Sequence, residues 1–349
     1  MKIKYLLIFL FTINYLSVFS QTNTQKKQTP TKENTGLVKW LTIEQAEALN
    51  KKQPKPFLID FYTEWCGWCK HMMKTTYSNP QIAGYINERF YPVRFDAETH
   101  DTIHFQGKEY VNTGVVKRSS HQFAQELMEG RMSYPTTLFM SSDYKIKLRV
   151  PGYLDSKKIE PFLVYMVEYV FGTTNINDFT DDWNMAFNDS TTDQKTIKWY
   201  GMNEALRLQK KQKRPIVIYV NTDWCNSCKV MKRSTFLTDT ISKYLDKKFY
   251  LVDFNAQSQD TIKLGEQIFF KTKKDVFHPF ISQIENGRVV LPSLIFIDEN
   301  GKVLSSVPFY HNAYEAETIF HFFGEDFYKT QKWNDFYKSF KHSLTKKYQ

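Results

Sequence analysis

Two stretches decide how this chain reads: FLIDFYTEWCGWCK at residues 57–70 and IVIYVNTDWCNSCK at residues 216–229. Each opens on a short apolar run behind a proline (Pro56, Pro215), which predicts a buried strand. Each then carries Trp-Cys-x-x-Cys-Lys, with the cysteine pair expected to open a helix. A cysteine at a strand-to-helix junction meets unpaired backbone N–H groups and the positive end of the helix dipole, both of which favour an anion. The thiolate is the nucleophile of disulfide exchange. A second cysteine three residues on lies one turn away on the same face. It can attack a mixed disulfide and release the substrate reduced. Cys66 and Cys225 are therefore the expected attackers, with Cys69 and Cys228 as resolvers.

Working outward, the two stretches prove to be copies of one unit. A shift of 159 places Lys39-Trp40 on Lys198-Trp199, Trp65-Cys66 on Trp224-Cys225, Met72 on Met231, and Phe90-Tyr91 on Phe249-Tyr250. After a two-residue gap the shift is 157, pairing His121 with His278, Gly130 with Gly287 and Pro135 with Pro292. Within each copy a helix is expected at 42–49 and 202–210, and strands at 57–62 and 216–220. Further strands are expected at 90–95 and 249–254, and at 137–140 and 294–297. A last strand and helix complete βα units followed by a hairpin and helix, an α/β sandwich. Each copy ends in an aromatic tail. Phe171-Gly172 is aligned with Phe323-Gly324, and Trp183 and Phe187 with Trp333 and Tyr337, four apart as on one helical face. Packing on the parent domain is the expected role of the tails, with a partner surface as the alternative. The boundaries read as a domain at 38–188, a linker at 189–197 around DSTTDQK, and a second domain at 198–349.

Length and composition agree with two folded units. The chain has 349 residues, 42% apolar and 16% aromatic, which excludes a wholly disordered protein. Its 47 Lys and Arg against 37 Asp and Glu give +10. That charge is scattered rather than striped, so no nucleic-acid partner is expected. At the N-terminus, Lys2 and Lys4 precede an apolar run over 5–19 with Val18-Phe19-Ser20 at its end. This is the pattern of a cleaved secretory signal, 1–20, and it falls short of the ~20 apolar residues a spanning helix needs. Residues 21–37 read as a flexible leader. Cleavage leaves a charge of +10 − 2 = +8, no stable membrane insertion, and a secreted or periplasmic protein in a compartment where disulfides form.

Three other readings of the cysteines compete. A structural Cys-x-x-Cys bridge closes so short a loop that it contributes only about 2 kcal/mol. A zinc site built from all four cysteines would need pairs committed to two separate strand–helix junctions to meet. Cu(I) would suit thiolate plus the thioethers of Met72 and Met231, although a helix face packed in the core explains both methionines. His121 and His278 could line a site, but a helix-start or packing role is the simpler expectation.

The two cysteine stretches resemble the active-site strand and helix of the thioredoxin superfamily. Ser133-Tyr134-Pro135-Thr136-Thr137 and Leu291-Pro292-Ser293 resemble the loop carrying its cis-proline. The resemblance implies two thioredoxin-like three-layer α/β/α domains in tandem, and catalysis by the redox-active disulfides Cys66–Cys69 and Cys225–Cys228 with no other cofactor and no metal. It implies that Pro135 and Pro292 are cis and that Tyr134 and Leu291 contact an extended substrate. Trp65 and Trp224 are expected beside the cysteines.

Three departures stand out. From strand to proline each copy runs about two dozen residues longer than a minimal thioredoxin, an insertion expected to lie beside the active site. The aromatic C-terminal helix is a second addition to the domain. Asp60 also occupies the place of the family's buried acid, which handles the resolving thiol's proton, whereas the second copy has Tyr219 there. The expected function is an exported thiol-disulfide oxidoreductase with the first domain the more active. Reduction is preferred over isomerisation or oxidation, with disulfide-containing proteins as substrates and a separate electron donor or acceptor. The alternative class is a redox-coupled binding protein, a Cu(I) carrier or an assembly module.

Overall fold

The computed structural model describes residues 36–189 and 196–346. The segment read as an export signal, nearly all of the leader, and positions 190–195 of the linker lie outside the described residues. Among the described residues no helix is long and apolar enough to cross a membrane.

The first copy begins with α1 (Ile43–Asn50), opened by a capping box in which Thr42 and Gln45 bond each other's backbone N–H. Then come β1 (Phe57–Tyr62), α2 (Gly67–Thr75), α3 (Pro80–Arg89) and β2 (Tyr91–Asp96). A small hairpin, β3 (Ile103–Phe105) and β4 (Lys108–Tyr110), leads to α4 (Gln122–Leu127). The copy closes with β5 (Thr136–Met140), β6 (Lys147–Pro151), α5 (Ser156–Val167) and the tail helix α6 (Ile176–Phe187). The second copy repeats this order as α7 (Met202–Lys211), β7 (Ile216–Asn221), α8 (Asn226–Arg233), α9 (Asp239–Lys248) and β8 (Tyr250–Asn255). Its hairpin is β9 (Ile262–Leu264) and β10 (Gln267–Phe269). It ends with α10 (Pro279–Ile284), β11 (Ser293–Ile297), β12 (Val303–Pro308), α11 (Ala313–Gly324) and α12 (Trp333–Ser339).

The main sheets run β2-β1-β5-β6 and β8-β7-β11-β12. In each, the strand leading to the cysteines is central, parallel to one neighbour and antiparallel to the other. Alternation along a strand sends successive side chains to opposite faces. Phe57, Ile59 and Phe61 enter one apolar cluster, while Leu58 enters another. In the second copy Ile216, Ile218 and Val220 face one side, and Val217 and Tyr219 the other. Each sheet thus keeps one private core. On the opposite faces the two copies share a single cluster, joining Leu58, Met72 and Phe139 to Val217, Met231 and Tyr310.

The first tail makes this join, in addition to the packing on its parent domain that the sequence predicts. Helix α6 does lie on α5, but it also lies on α8 of the second copy. Arg233 Nε donates to the Ala186 carbonyl at 2.5 Å. Phe179 meets the Tyr310 ring edge-on at 5.2 Å, and the Tyr310 hydroxyl donates to Asp182 at 2.6 Å. The second tail, α12, stays on its own α11, with Phe336 buried against Phe322.

The register of the tails also differs from the sequence alignment. The 157-residue shift carries through α5 and α11 into the following 3-10 turns, Val170–Gly172 and Phe327–Lys329, so Phe171 corresponds to Tyr328 rather than Phe323. The repeated Phe-Gly pair misled because the aromatic residues are dense enough there to align in two registers.

Tyr310 tests the join. Replacing it by Phe removes one hydrogen bond to a carboxylate, an interaction worth about 1.5–3 kcal/mol. Y310F is expected to lower the urea-unfolding free energy of the whole chain by about that amount. Y153F changes the matching position of the first copy, where the hydroxyl meets Thr75 at an exposed contact. It should stay within about 0.5 kcal/mol of the parent.

Candidate functional site

Both cysteine pairs are disulfides, with Cα atoms 5.3 Å apart in the first copy and 5.2 Å in the second. Cys66 is the N-cap of α2 and Cys225 the N-cap of α8. In each the first sulfur accepts the backbone N–H of the second cysteine, at 3.1 and 3.2 Å. The sulfur therefore sits where the helix has unpaired donors. The Tyr134–Pro135 and Leu291–Pro292 peptides are both cis. Each proline leads directly into the strand, β5 or β11, that pairs with the strand before the cysteines.

The surroundings then diverge. Around Cys66 the surface is open and aromatic. Trp65 and Trp68 are 52% and 62% exposed. Trp65 stands edge-on to Tyr134, with its indole N–H donated to Glu98 at 2.9 Å and the Arg118 guanidinium over its ring. Trp68 lies 5.5 Å from the Tyr153 ring and 5.6 Å from His71. Trp224 likewise donates its indole N–H, to Gln257 at 3.1 Å. Beyond that tryptophan the second pair is covered: Ser227 is 0% exposed where Trp68 is 62%.

Asp60 is buried in β1, 3.4 Å from the Tyr77 hydroxyl and 3.8 Å from Arg94 Nε. Burial pushes its carboxyl up to about 6 despite the opposing pull of Arg94. The second copy rebuilds this spot. Tyr219 takes the aspartate position and donates its hydroxyl to the Cys228 carbonyl at 2.6 Å. Phe236 takes the place of Tyr77, so a single phenol remains but arises from the strand instead of the helix end. Charge moves outward in step. Asp253 stands where Arg94 did, pairs with Lys232 and accepts from Asn221 at 2.6 Å.

His121 and His278 are fully buried N-caps of α4 and α10, each taking a backbone N–H on Nδ1 and facing a carbonyl with Nε2. Met72 and Met231 are buried in the shared core. Among the described residues no three His, Cys, Asp or Glu side chains converge as a metal site. The insertion is only partly beside the cysteines. Its hairpin lies along α1, held by Glu44 and Glu47 accepting the backbone N–H groups of His104 and Gln106. The loop that follows it reaches the site, through Arg118 on Trp65.

Four residues near the sites went unread in the sequence. Trp68 was visible between the cysteines but was not read as part of the rim. His71 and Tyr153 gave no local signal. Glu168 reaches the second pair from the first copy, its carboxylate accepting the N–H groups of Asn226 and Ser227 at 3.2 and 2.7 Å.

Comparison with known proteins identifies the family of both copies. A family model described as a thioredoxin-like domain matches residues 43–167 and again 202–324. The thiol:disulfide interchange protein DsbD of Vibrio vulnificus (strain CMCP6) is 37% identical over 46 residues, 13% of this chain and 8% of that protein. The chain therefore spans under a tenth of that relative's length. Among solved structures, a DsbH oxidoreductase is 22% identical, covering 36% of this chain and 83% of its own, with a TM-score of 0.26. The reduced C-terminal domain of Neisseria meningitidis DsbD is 20% identical, covering 35% of this chain and 91% of its own, with a TM-score of 0.25. With both repeats matched across most of its length, the chain belongs to the thioredoxin-like domain family and carries that domain twice.

Proposed function

We propose that this protein is an exported thiol-disulfide oxidoreductase that reduces disulfides in protein substrates, with the Cys66–Cys69 pair carrying most of the turnover. The observation behind this reading is the sulfur of Cys66 at the N-cap of α2, accepting a helix N–H beside an exposed aromatic rim and a cis-proline loop. In the reduced protein, the Cys66 thiolate attacks one sulfur of a substrate disulfide. The substrate S–S bond breaks, its other sulfur leaves as a thiol, and a mixed disulfide forms. Cys69 then loses its proton and attacks Cys66, releasing the second substrate thiol and closing Cys66–Cys69. Two electrons have passed to the substrate, and a dithiol donor must return them.

Asp60 serves as acceptor for the Cys69 proton in this scheme. A carboxyl held near 6 is mostly ionised at neutral pH yet basic enough to take a proton. Tyr219, committed to the Cys228 carbonyl, cannot serve the second pair in that way. Trp65, Tyr134 and Pro135 border the substrate path in the first domain, and Trp224, Leu291 and Pro292 hold the same places in the second. Export rests on the charged-then-apolar N-terminus and places the chain where substrate disulfides occur.

In full-length protein, C66S/C69S is expected to lose most insulin-disulfide reduction and C225S/C228S to keep most of it; equal losses would overturn the ranking. C69A should accumulate mixed disulfides with its substrates in the exporting cell, reversible by dithiothreitol. Recovery of none would count against the activity itself.

Asp60 gives a prediction with a sign. Its folded carboxyl holds the proton more tightly than the ordinary value of 3.8, so stability falls as pH rises from about 4 through about 6. D60N removes that loss. It is expected to be more stable than the parent at pH 8 by up to about 3 kcal/mol, with the gain vanishing near pH 4. The same variant should reduce insulin roughly tenfold or more slowly at pH 7. Unchanged turnover would exclude the proton-acceptor role.

A further inference from the structure

The two copies also differ where the first touches the second. Glu168 ends α5 as its C-cap, and its counterpart at a shift of 157 is Glu325, the C-cap of α11. Glu325 is held within its own domain, 2.8 Å from Lys248 and 3.1 Å from the Tyr244 hydroxyl. The same partner positions exist in the first copy as Arg89 and Tyr85, yet Arg89 pairs with Glu88 at 3.1 Å. Glu168 turns instead to the second domain.

There both its oxygens are used. Oε1 accepts Asn226 N–H at 3.2 Å, and Oε2 accepts Ser227 N–H at 2.7 Å and lies 3.7 Å from Cys225 Sγ. In the first site the matching N–H groups, those of Gly67 and Trp68, meet no acceptor among the described residues. The carboxylate also lines a cavity of about 480 Å3 onto which Cys225, Trp224 and Leu291 open, with Tyr169 and Phe309 at its edge.

We propose that Glu168 is a positioning residue that the first domain supplies to hold the second cysteine pair closed. It covers Asn226-Ser227 and takes the helix N–H groups that would otherwise steady a sulfur anion on Cys225. This deepens the function proposed above and rests on it only in treating Cys225 as the attacking sulfur. When a dithiol reduces Cys225–Cys228, the S–S bond breaks, two electrons and two protons enter, and the donor leaves as its disulfide. With a carboxylate already at the helix end, Cys225 keeps its proton instead of becoming a thiolate. Two negative charges would otherwise share one helix N-terminus.

The other ionisable groups around the carboxylate are Lys229 on α8, Tyr85, Glu88 and Arg89 on α3, and the buried Tyr219. Burial raises the Glu168 carboxyl above its ordinary value, against the opposing pull of the Ser227 hydroxyl, the Ser227 and Asn226 N–H groups and Lys229.

The test reads each thiol without any need for turnover. Full-length chains keeping one pair (C66S/C69S or C225S/C228S) are reduced with dithiothreitol. They are then alkylated with iodoacetamide across pH 4–10, with mass-spectrometric assignment of the labelled cysteine. The Cys225 midpoint is expected above that of Cys66. Adding E168Q to the C66S/C69S chain should lower the Cys225 midpoint by about one pH unit, roughly tenfold more thiolate at neutral pH. The alkylation rate should rise several-fold, less than the thiolate gain because nucleophilicity falls with pKa. E168D, which keeps the charge, should retain the high midpoint.

An unmoved midpoint in folded E168Q, or equal shifts in E168Q and E168D, would overturn the proposal. So would a Cys225 midpoint at or below that of Cys66 in the chains with Glu168 intact, a result that stands even if neither Glu168 variant folds. Loss of insulin reduction with these midpoints in the expected order would strike at the function alone.

Discussion

The unpaired N–H groups at the start of a helix are the resource on which both sites depend. A helix leaves its first donors without internal partners, and whatever anion or lone pair reaches them first is stabilised. At α2 the Cys66 sulfur takes one donor while Gly67 and Trp68 face outward. At α8 the Cys225 sulfur takes the equivalent donor, but a carboxylate from the other copy takes the two that precede it. The sequences of the two helices begin alike, Cys-x-x-Cys-Lys in both. Their chemistry is separated by a residue 57 positions away from Cys225.

Duplication made that separation possible without disturbing the fold. The second copy replaces Asp60 by Tyr219, Tyr77 by Phe236, and Arg94 by Asp253, and each change compensates another. A buried carboxylate needs a cation or donor nearby, and removing it removes the need for Arg94. The strand tyrosine packs its ring on Phe236, which lacks the hydroxyl of Tyr77, and bonds its own hydroxyl to the backbone of α8. The result is an equally dry core in which a buried phenol stands where the first copy has a buried carboxyl. Packing survives the exchange because it depends on volume and satisfied polar atoms.

What the sequence made legible was local or repeated. Strand, cysteine pair and helix follow one another within about 20 residues, so periodicity and turn chemistry suffice to place them. The proline loops were legible by order along the chain, and His121 and His278 by their position just before an apolar helical run. Illegible features depend on tertiary choices between like residues. Glu168 and Glu325 occupy the same helix end with the same side chain, and only the neighbouring domain decides which one leaves home. The tails show the same limit. Aromatic density gave two registers of similar appearance, and the helix bounds chose the one without the Phe-Gly match. The insertion was predicted by length, but its hairpin and the seat of that hairpin on α1, held by Glu44 and Glu47, gave no signal in the sequence.

The contact that alters the second site also holds the two domains together, and this ties access to geometry. A carboxylate removed from water must be well bonded to be tolerated, and Glu168 meets that requirement only while α5 and α8 stay docked. Beside it, α6 fastens Tyr310 through Asp182 and Arg233 through the Ala186 carbonyl. A protein substrate approaching Cys225 would have to displace several such bonds at once. One approaching Cys66 meets exposed rings and free N–H groups. Two sulfur sites on the same Cys-x-x-Cys-Lys frame therefore present different barriers, set by the residues between the cysteines and by the end of α5 docked on α8.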